Sequence, residues 1–164
     1  NQKNKGGDLN KFMQRIKFES RDNGRTPFQW NASTHAGFTS GTPWIKVNPN
    51  YKTLNAAAQE KDPNSCLNYF RSLVKIRKAN PELVYGKYTL LDKSNPTVYA
   101  YTREEGNQKM LIVLNFSATD TQVNTGLNLV NAKMLLNNYK DVPVNHISQS
   151  LIKLRPYEAV IYQF

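Results

Sequence analysis

One change of rhythm constrains this chain more than any other feature. Up to about Tyr85 its apolar residues recur at helical spacing or not at all. From Gly86 onward they alternate with a period of two. Side chains on a strand point to opposite faces in turn, so this alternation marks half-buried strands. The runs are Tyr88–Leu91, Thr97–Thr102, Met110–Phe116, Ala132–Leu136, Gln149–Leu154 and Ala159–Tyr162, with a weaker strand at Thr121–Asn124. Turn signals separate them at Asp92 to Pro96, Glu105-Gly106-Asn107, Thr125-Gly126 and Arg155-Pro156. Many short strands at such spacing predict a small antiparallel sandwich from Tyr85 to Phe164.

The first half reads differently. Leu9, Phe12, Met13 and Ile16 fall at i, i+3, i+4 and i+7, which predicts a helix capped by Asp8 that packs its stripe on a core. Residues 20–61 are rich in Asn, Thr, Ser, Gly and Pro, yet carry Phe28, Trp30, Phe38, Trp44 and Tyr51. A free linker would be small and polar, so this segment is expected to be an organised loop that lines something. The clearest helix is predicted over 62–79, with Asp62 at the cap and Pro63 in the first position. Its face Leu67, Phe70 and Val74 should pack, partly exposed, on the sandwich or the aromatic loop. Asn80-Pro81 ends it.

Other features close off function classes. Cys66 is the only cysteine, so no intrachain disulfide or multi-cysteine zinc site can form; it sits in an apolar stripe and should be a buried, inert thiol. A cytoplasmic location is the expectation that goes with it. No apolar run approaches the roughly 18 residues of a membrane span, so no membrane partner is expected. The formal charge of +10 is scattered, its densest group Lys75, Arg77 and Lys78 complementing a helix C-terminus. No nucleic-acid-reading motif accompanies it, so no nucleic acid is expected either. His35 and His146 lie in no metal spacing, and His146 reads as an ordinary residue of a polar loop. Neither a cofactor nor a metal is expected. Glycosidic hydrolysis needs two carboxylates flanking one bond, and only Asp22 is embedded in an organised stretch, so no catalytic residue can be assigned.

That stretch is Ser20-Arg-Asp-Asn-Gly-Arg-Thr-Pro-Phe-Gln-Trp30. It resembles the block Ser-Arg-Asp-Asn-x-Arg-Thr-Pro-Met/Phe-Gln-Trp of the oligo-1,6-glucosidase and α-glucosidase group in glycoside hydrolase family 13. The likeness continues through Ala36-Gly-Phe-Thr39, Pro43–Tyr51, Asp62–Arg71 and Ile76–Gly86. The resemblance implies a (β/α)8 barrel whose nucleophile, acid/base and stabilising acid all lie upstream of the block. It therefore implies a mainly β chain, the end of such a barrel followed by its C-terminal sandwich, with the remainder of the barrel absent. Residues 1–84 would hold the final βα loop and eighth barrel helix, and 85–164 the sandwich, packing against the missing barrel. The opening at Asn1 rather than Met fits an excised piece.

The resemblance carries one functional residue onto this sequence. Arg25 is similar to the family's arginine that holds the non-reducing glucose, so a substrate-binding role at an oligosaccharide is implied for it. Arg21 and Asp22 are expected to brace the loop as neighbouring opposite charges. The activity implied is a retaining α-glucosidase on short α-glucosides such as isomalto-oligosaccharides, the present residues being inactive alone. Phe28, where many relatives have Met, also occurs in sucrose-isomerising relatives, so a sucrose isomerase or a trehalose-phosphate hydrolase is the alternative. A non-catalytic carbohydrate-binding module is the rival outside that chemistry, and its sign would be exposed aromatics on one sheet face, with Tyr88, Tyr99, Tyr101 and Tyr157 as candidates.

Overall fold

A computed structural model describes residues 8–141 and 146–164. Residues 1–7 lie outside the described residues. The chain divides into two compact units, Asn1–Asn68 and Tyr69–Phe164.

The first unit is helical and irregular. Helix α1 (Leu9–Glu19) starts where expected, the Asp8 carboxylate accepting from the backbone N–H of Asn10 and Lys11. Its stripe is not packed as expected: Leu9, Phe12, Met13 and Ile16 remain 37–49% exposed. Helix α2 (Ala56–Lys61) lies within the stretch read as loop, capped by Asn55, whose side chain accepts from Ala58 N–H and donates to Tyr51 O. Helix α3 (Cys66–Ala79) starts later than the sequence suggests. The Asp62 side chain closes a turn onto the N–H of Asn64, and Ser65 N–H bonds to Asp62 O. Those local bonds compete with helix at Pro63–Asn64. The cap passes to Ser65, whose hydroxyl accepts from Asn68 N–H at 3.2 Å. Cys66 is exposed in the first turn, not buried.

The second unit contains the predicted sandwich together with most of helix α3, and the sandwich makes the described fold mainly β. One sheet has the order β1 (Lys87–Leu91), β2 (Val98–Glu105), β3 (Gln108–Asn115), β8 (Ala159–Gln163), β5 (Lys133–Asn137). The other has β4 (Thr121–Asn124), β7 (Leu151–Leu154), β6 (Ile147–Ser148). All pairings are antiparallel, and Tyr99 faces Leu114, Tyr101 faces Ile112 and Arg103 faces Met110 across β2 and β3. Val98, Ala100, Leu111, Val113 and Tyr162 of the larger sheet meet Val123, Ile152 and Leu154 of the smaller one in the core.

A second apolar layer covers the larger sheet's other face. Met110, Ile112 and Ile161 pack there with Leu73 of α3 and Leu83 of α4 (Glu82–Tyr85). Helix α3 thus docks on the sandwich through Leu73, a neighbour of Phe70 and Val74 on its apolar face, and that face is partly exposed as expected, Phe70 at 62%. Two arginines fasten α4 by its carbonyls. Arg77 Nη1 donates to Leu83 O at 2.7 Å, and Arg103 Nη2 to Val84 O at 2.8 Å. These carbonyls lack intrahelical partners, so the guanidiniums cap the helix.

Gly86 joins α4 to β1 at close quarters. A Cβ there would stand 2.5 Å from Glu82 O and 2.9 Å from the backbone N and O of Glu104. Backbone cannot swing aside as a side chain can, so Gly86→Ala should cost about 1–3 kcal/mol. A denaturant melt is expected to show that loss, and an unchanged midpoint would contradict the close approach.

Candidate functional site

The block Ser20–Trp30 begins where α1 stops, with Ser20 N–H closing onto Ile16 O. A 3-10 turn then spans Asp22–Gly24, held by Gly24 N–H to Arg21 O and Arg25 N–H to Asp22 O. Bracing therefore comes from the carbonyls of Arg21 and Asp22. Their side chains make no hydrogen bond or ion pair among the described residues, contrary to the expected charge pairing. Side chains on neighbouring residues of a tight turn splay apart, and both stay exposed. Arg25 is likewise exposed, and its guanidinium takes no protein partner among the described residues. All five of its donors are open to a ligand.

Downstream, the chain is clamped from two sides. The carbonyls of Gln29 and Trp30 accept from Ala56 and Ala57 N–H, which begin α2 and would otherwise be orphaned. On the other side, Trp30 and Asn31 N–H both donate to Ala36 O. The turn that presents Ala36 runs through three successive left-handed residues, His35 (φ 54°), Ala36 (φ 59°) and Gly37 (φ 67°). Such conformations cost about 1–2 kcal/mol each for residues with a Cβ. A Cβ on Gly37 would also meet the Asn31 side chain at 2.5 Å. His35 is half-buried and serves the turn through its backbone. Phe28 and Trp30 stand edge to face, centroids 4.6 Å apart, both more than half exposed. Trp44 is 85% exposed.

The second unit holds a charge cluster that the sequence did not reveal. Glu158 is fully buried. Arg155 grips its carboxylate with two side-chain bonds, Nη2 to Oε1 at 2.6 Å and Nε to Oε2 at 3.1 Å, plus its backbone N–H at 2.8 Å. Asn137 Nδ2 adds a bond at 2.7 Å. His146, read as a polar-loop residue, is instead 5% exposed, with Nε2 3.2 Å from Glu158 Oε1. That contact lacks the alignment of a hydrogen bond, while Nδ1 lies 2.5 Å from Tyr162 OH. Burial would raise Glu158, but the Arg155 and Asn137 bonds overcome it and hold the carboxyl at about 2. Burial depresses His146, against the pull of Glu158. The cluster ties Asn137 of β5, His146 next to β6 and Arg155 next to β7 to one carboxylate beside β8.

Tyrosines gather on the larger sheet's outer face. Tyr88 and Tyr101 rings are 5.3 Å apart, Tyr99 and Tyr101 5.1 Å, and the Tyr88 and Tyr99 hydroxyls bond at 3.0 Å. That bond, above all, pushes Tyr88 up to about 12. Tyr157 does not join them; it sits exposed in the β7–β8 turn. Among the described residues no group of three or more His, Cys, Asp or Glu could hold a metal, and no helix is long and apolar enough to cross a membrane.

This combination of a helical, loop-rich segment and an antiparallel sandwich matches known proteins along its whole length. Residues 1–86 match the family model described as alpha amylase, catalytic domain, and residues 88–161 that of the maltogenic amylase C-terminal domain. The chain belongs to the α-amylase family, glycoside hydrolase family 13. It is 39% identical over 160 residues to an oligo-1,6-glucosidase of Parageobacillus thermoglucosidasius, covering 96% of this chain and 28% of that protein. Among solved structures it is similar to trehalose-6-phosphate hydrolase of Bacillus licheniformis, with TM-score 0.86 and 34% identity over 98% of this chain and 29% of that one. An isomaltulose synthase of Erwinia rhapontici NX5 in complex with D-glucose gives TM-score 0.83 and 43% identity, again over 98% and 29%. The chain thus spans under a third of the length of these relatives.

The buried cluster dictates an acid response. Glu158, held at about 2 against an ordinary 4.5, supports the fold fully above pH 4.5 and loses that support as pH falls toward 2. Burial depresses His146 below 6.5, so its share of the stability begins to be lost as pH drops below 6.5. Arg155→Met strands a buried carboxylate and should cost about 3–5 kcal/mol at neutral pH. Denaturant melts should show that difference shrinking below pH 4.5, as Glu158 protonates in the variant. A difference independent of pH would contradict the pairing.

Proposed function

We propose that this chain is the C-terminal part of a retaining α-glucosidase that hydrolyses short α-glucosides such as isomalto-oligosaccharides. The observation that carries the reading is Arg25, an exposed guanidinium with no protein partner among the described residues, set in the Ser20–Trp30 block. A free planar fork suits the paired hydroxyls of a terminal glucose. A loop-bracing arginine would spend those donors on its own loop. The oligo-1,6-glucosidase relatives support the substrate class. In this reading residues 1–84 belong to the barrel and 85–164 to the sandwich that follows it in sequence, and the exposed aromatics of the first unit face the remainder of the enzyme.

The nucleophile and acid/base of double displacement come from outside these residues. What this chain contributes is position. Arg25 holds the non-reducing glucose, and the clamp on Gln29 and Trp30 limits how far the loop carrying Arg25 can drift. Transition-state binding is sensitive to such drift, because an ångström of misplacement can cost about 100-fold. The chain alone is inactive in this reading.

A second reading has specific support. Isomaltulose synthases of Erwinia rhapontici NX5 and Protaminobacter rubrum are 43% identical to this chain, and Phe28 is one of the two residues, Met or Phe, that the resembled family block carries at that position. A sucrose isomerase would convert sucrose to isomaltulose, whereas a hydrolase would release glucose and fructose. Product analysis on the full-length enzyme separates the two.

Arg25→Ala in the full-length enzyme should lower kcat/KM by about 10- to 150-fold, the loss of roughly 1.5–3 kcal/mol of charge-assisted hydrogen bonding. Arg25→Lys should recover little, since a point charge cannot reproduce the fork. The thermal midpoint should hardly move. Kinetics on a chromogenic α-glucoside with a melt of the same variant check this, and near-normal kcat/KM beside a lowered midpoint would leave Arg25 a structural residue.

A further inference from the structure

The outer face of the larger sheet carries a groove of about 430 Å³ within the second unit. Its floor is Tyr101, Ile112 and Ile161, and its far wall is Leu73 and Leu83. That size lies in the range of small-molecule sites, about 300–1,000 Å³, which pair an apolar lining with a few polar groups. Two features distinguish it from plain apolar surface. The tyrosine cluster continues beyond Tyr101 through Tyr99 and Tyr88, which are 40% and 42% exposed. And two guanidiniums stand at the groove with donors to spare.

Arg77 uses one N–H on Leu83 O, while Arg103 uses Nη2 on Val84 O and Nε, at 3.4 Å, on Glu82 O. Each arginine carries five N–H donors. The rest have no protein partner among the described residues. The phenols are similarly under-used. Tyr88 and Tyr99 share one hydrogen bond between two hydroxyls, so one O–H is left over. Tyr101 OH has no protein partner among the described residues. Both arginines lie close enough to act on the Tyr101 phenol, which burial pushes up, so it remains a neutral O–H at any ordinary pH.

We propose that this surface binds a neutral saccharide, its rings lying against Tyr99 and Tyr101 and its hydroxyls met by Arg77, Arg103 and the free phenols. The C–H face of a hexopyranose is apolar and suits an aromatic ring, while its rim of hydroxyls requires planar donors at the edge. A protein helix seated in the groove would have no use for a rim of unspent N–H and O–H groups. A free anion would lack the backbone N–H groups that usually cradle one. The choice of α-linked glucose units rests on the function proposed above; the ring chemistry does not.

The test uses this 164-residue chain and isomaltotriose as the probe, read by saturation-transfer NMR with mannitol, a polyol without a ring face, as control. Saturation should reach the ring protons of isomaltotriose and not mannitol, with a Kd of order 1 mM. Tyr99→Ala should weaken binding about 10-fold or more, as expected for an aromatic anchor. Should Tyr99→Ala fail to fold, Tyr88→Phe removes a single hydroxyl and should weaken binding several-fold. Absence of transfer to isomaltotriose would overturn the proposal, as would transfer that both variants leave intact, or displacement of the sugar by inorganic phosphate. So would transfer that Tyr99→Ala weakens in this chain but leaves unchanged in the full-length enzyme, since the groove would then be filled by protein. Because the experiment reads binding and not turnover, its failure leaves the α-glucosidase reading standing, and a failure of that reading would appear in kinetics alone.

Discussion

Strand β3 is the element on which the second unit depends, because it is covered from both sides. Met110, Leu111, Ile112 and Val113 are each at most 6% exposed. Leu111 and Val113 face the smaller sheet, and Met110 and Ile112 face the layer that Leu73 and Leu83 supply. A strand in an ordinary sandwich has one wet face and alternates. Here the alternation collapses into a continuous apolar run because helices lie on the second face. That second layer also makes the groove, whose floor is the sheet and whose wall is the helical pair.

Placement of polar groups follows from the same layering. A face closed by only two helical side chains leaves α4's last carbonyls near the sheet, and Arg77 and Arg103 satisfy them. Toward the other end of β3, where Asn115 N–H bonds to Glu158 O, the chain buries a carboxylate. Glu158 draws its partners from Asn137, His146 and Arg155. Such a buried ion pair adds less to stability than an apolar replacement could, yet removing one partner is costly.

The strands were legible because period and turn chemistry are local, and β3 was recognisable from its bounded apolar run. Sites of misreading all involve competition or distance. The start of α3 turned on whether the Asp62 side chain capped a helix or closed a turn, and Ser65 won the cap. Helix α2 was hidden because six residues amid polar and aromatic loop give too little periodicity. Burial of His146 depends on Glu158 and Tyr162, twelve and sixteen residues away, which no local pattern reports. The Ser20–Trp30 block was legible as a family likeness, but nothing in its spacing foretold that Arg21 and Asp22 would brace through their carbonyls. Nor did it foretell the left-handed turn at His35–Gly37, since two of its three residues are not glycine.

The central functional claim is that the open guanidinium of Arg25 is a sugar-binding group. A crystal structure of the full-length enzyme with glucose bound tests it most directly. The account predicts a glucose hydroxyl within hydrogen-bond distance, about 2.7–3.2 Å, of an Arg25 guanidinium nitrogen. An Arg25 side chain turned to solvent, or spent wholly on a protein carboxylate while glucose is bound, would contradict it.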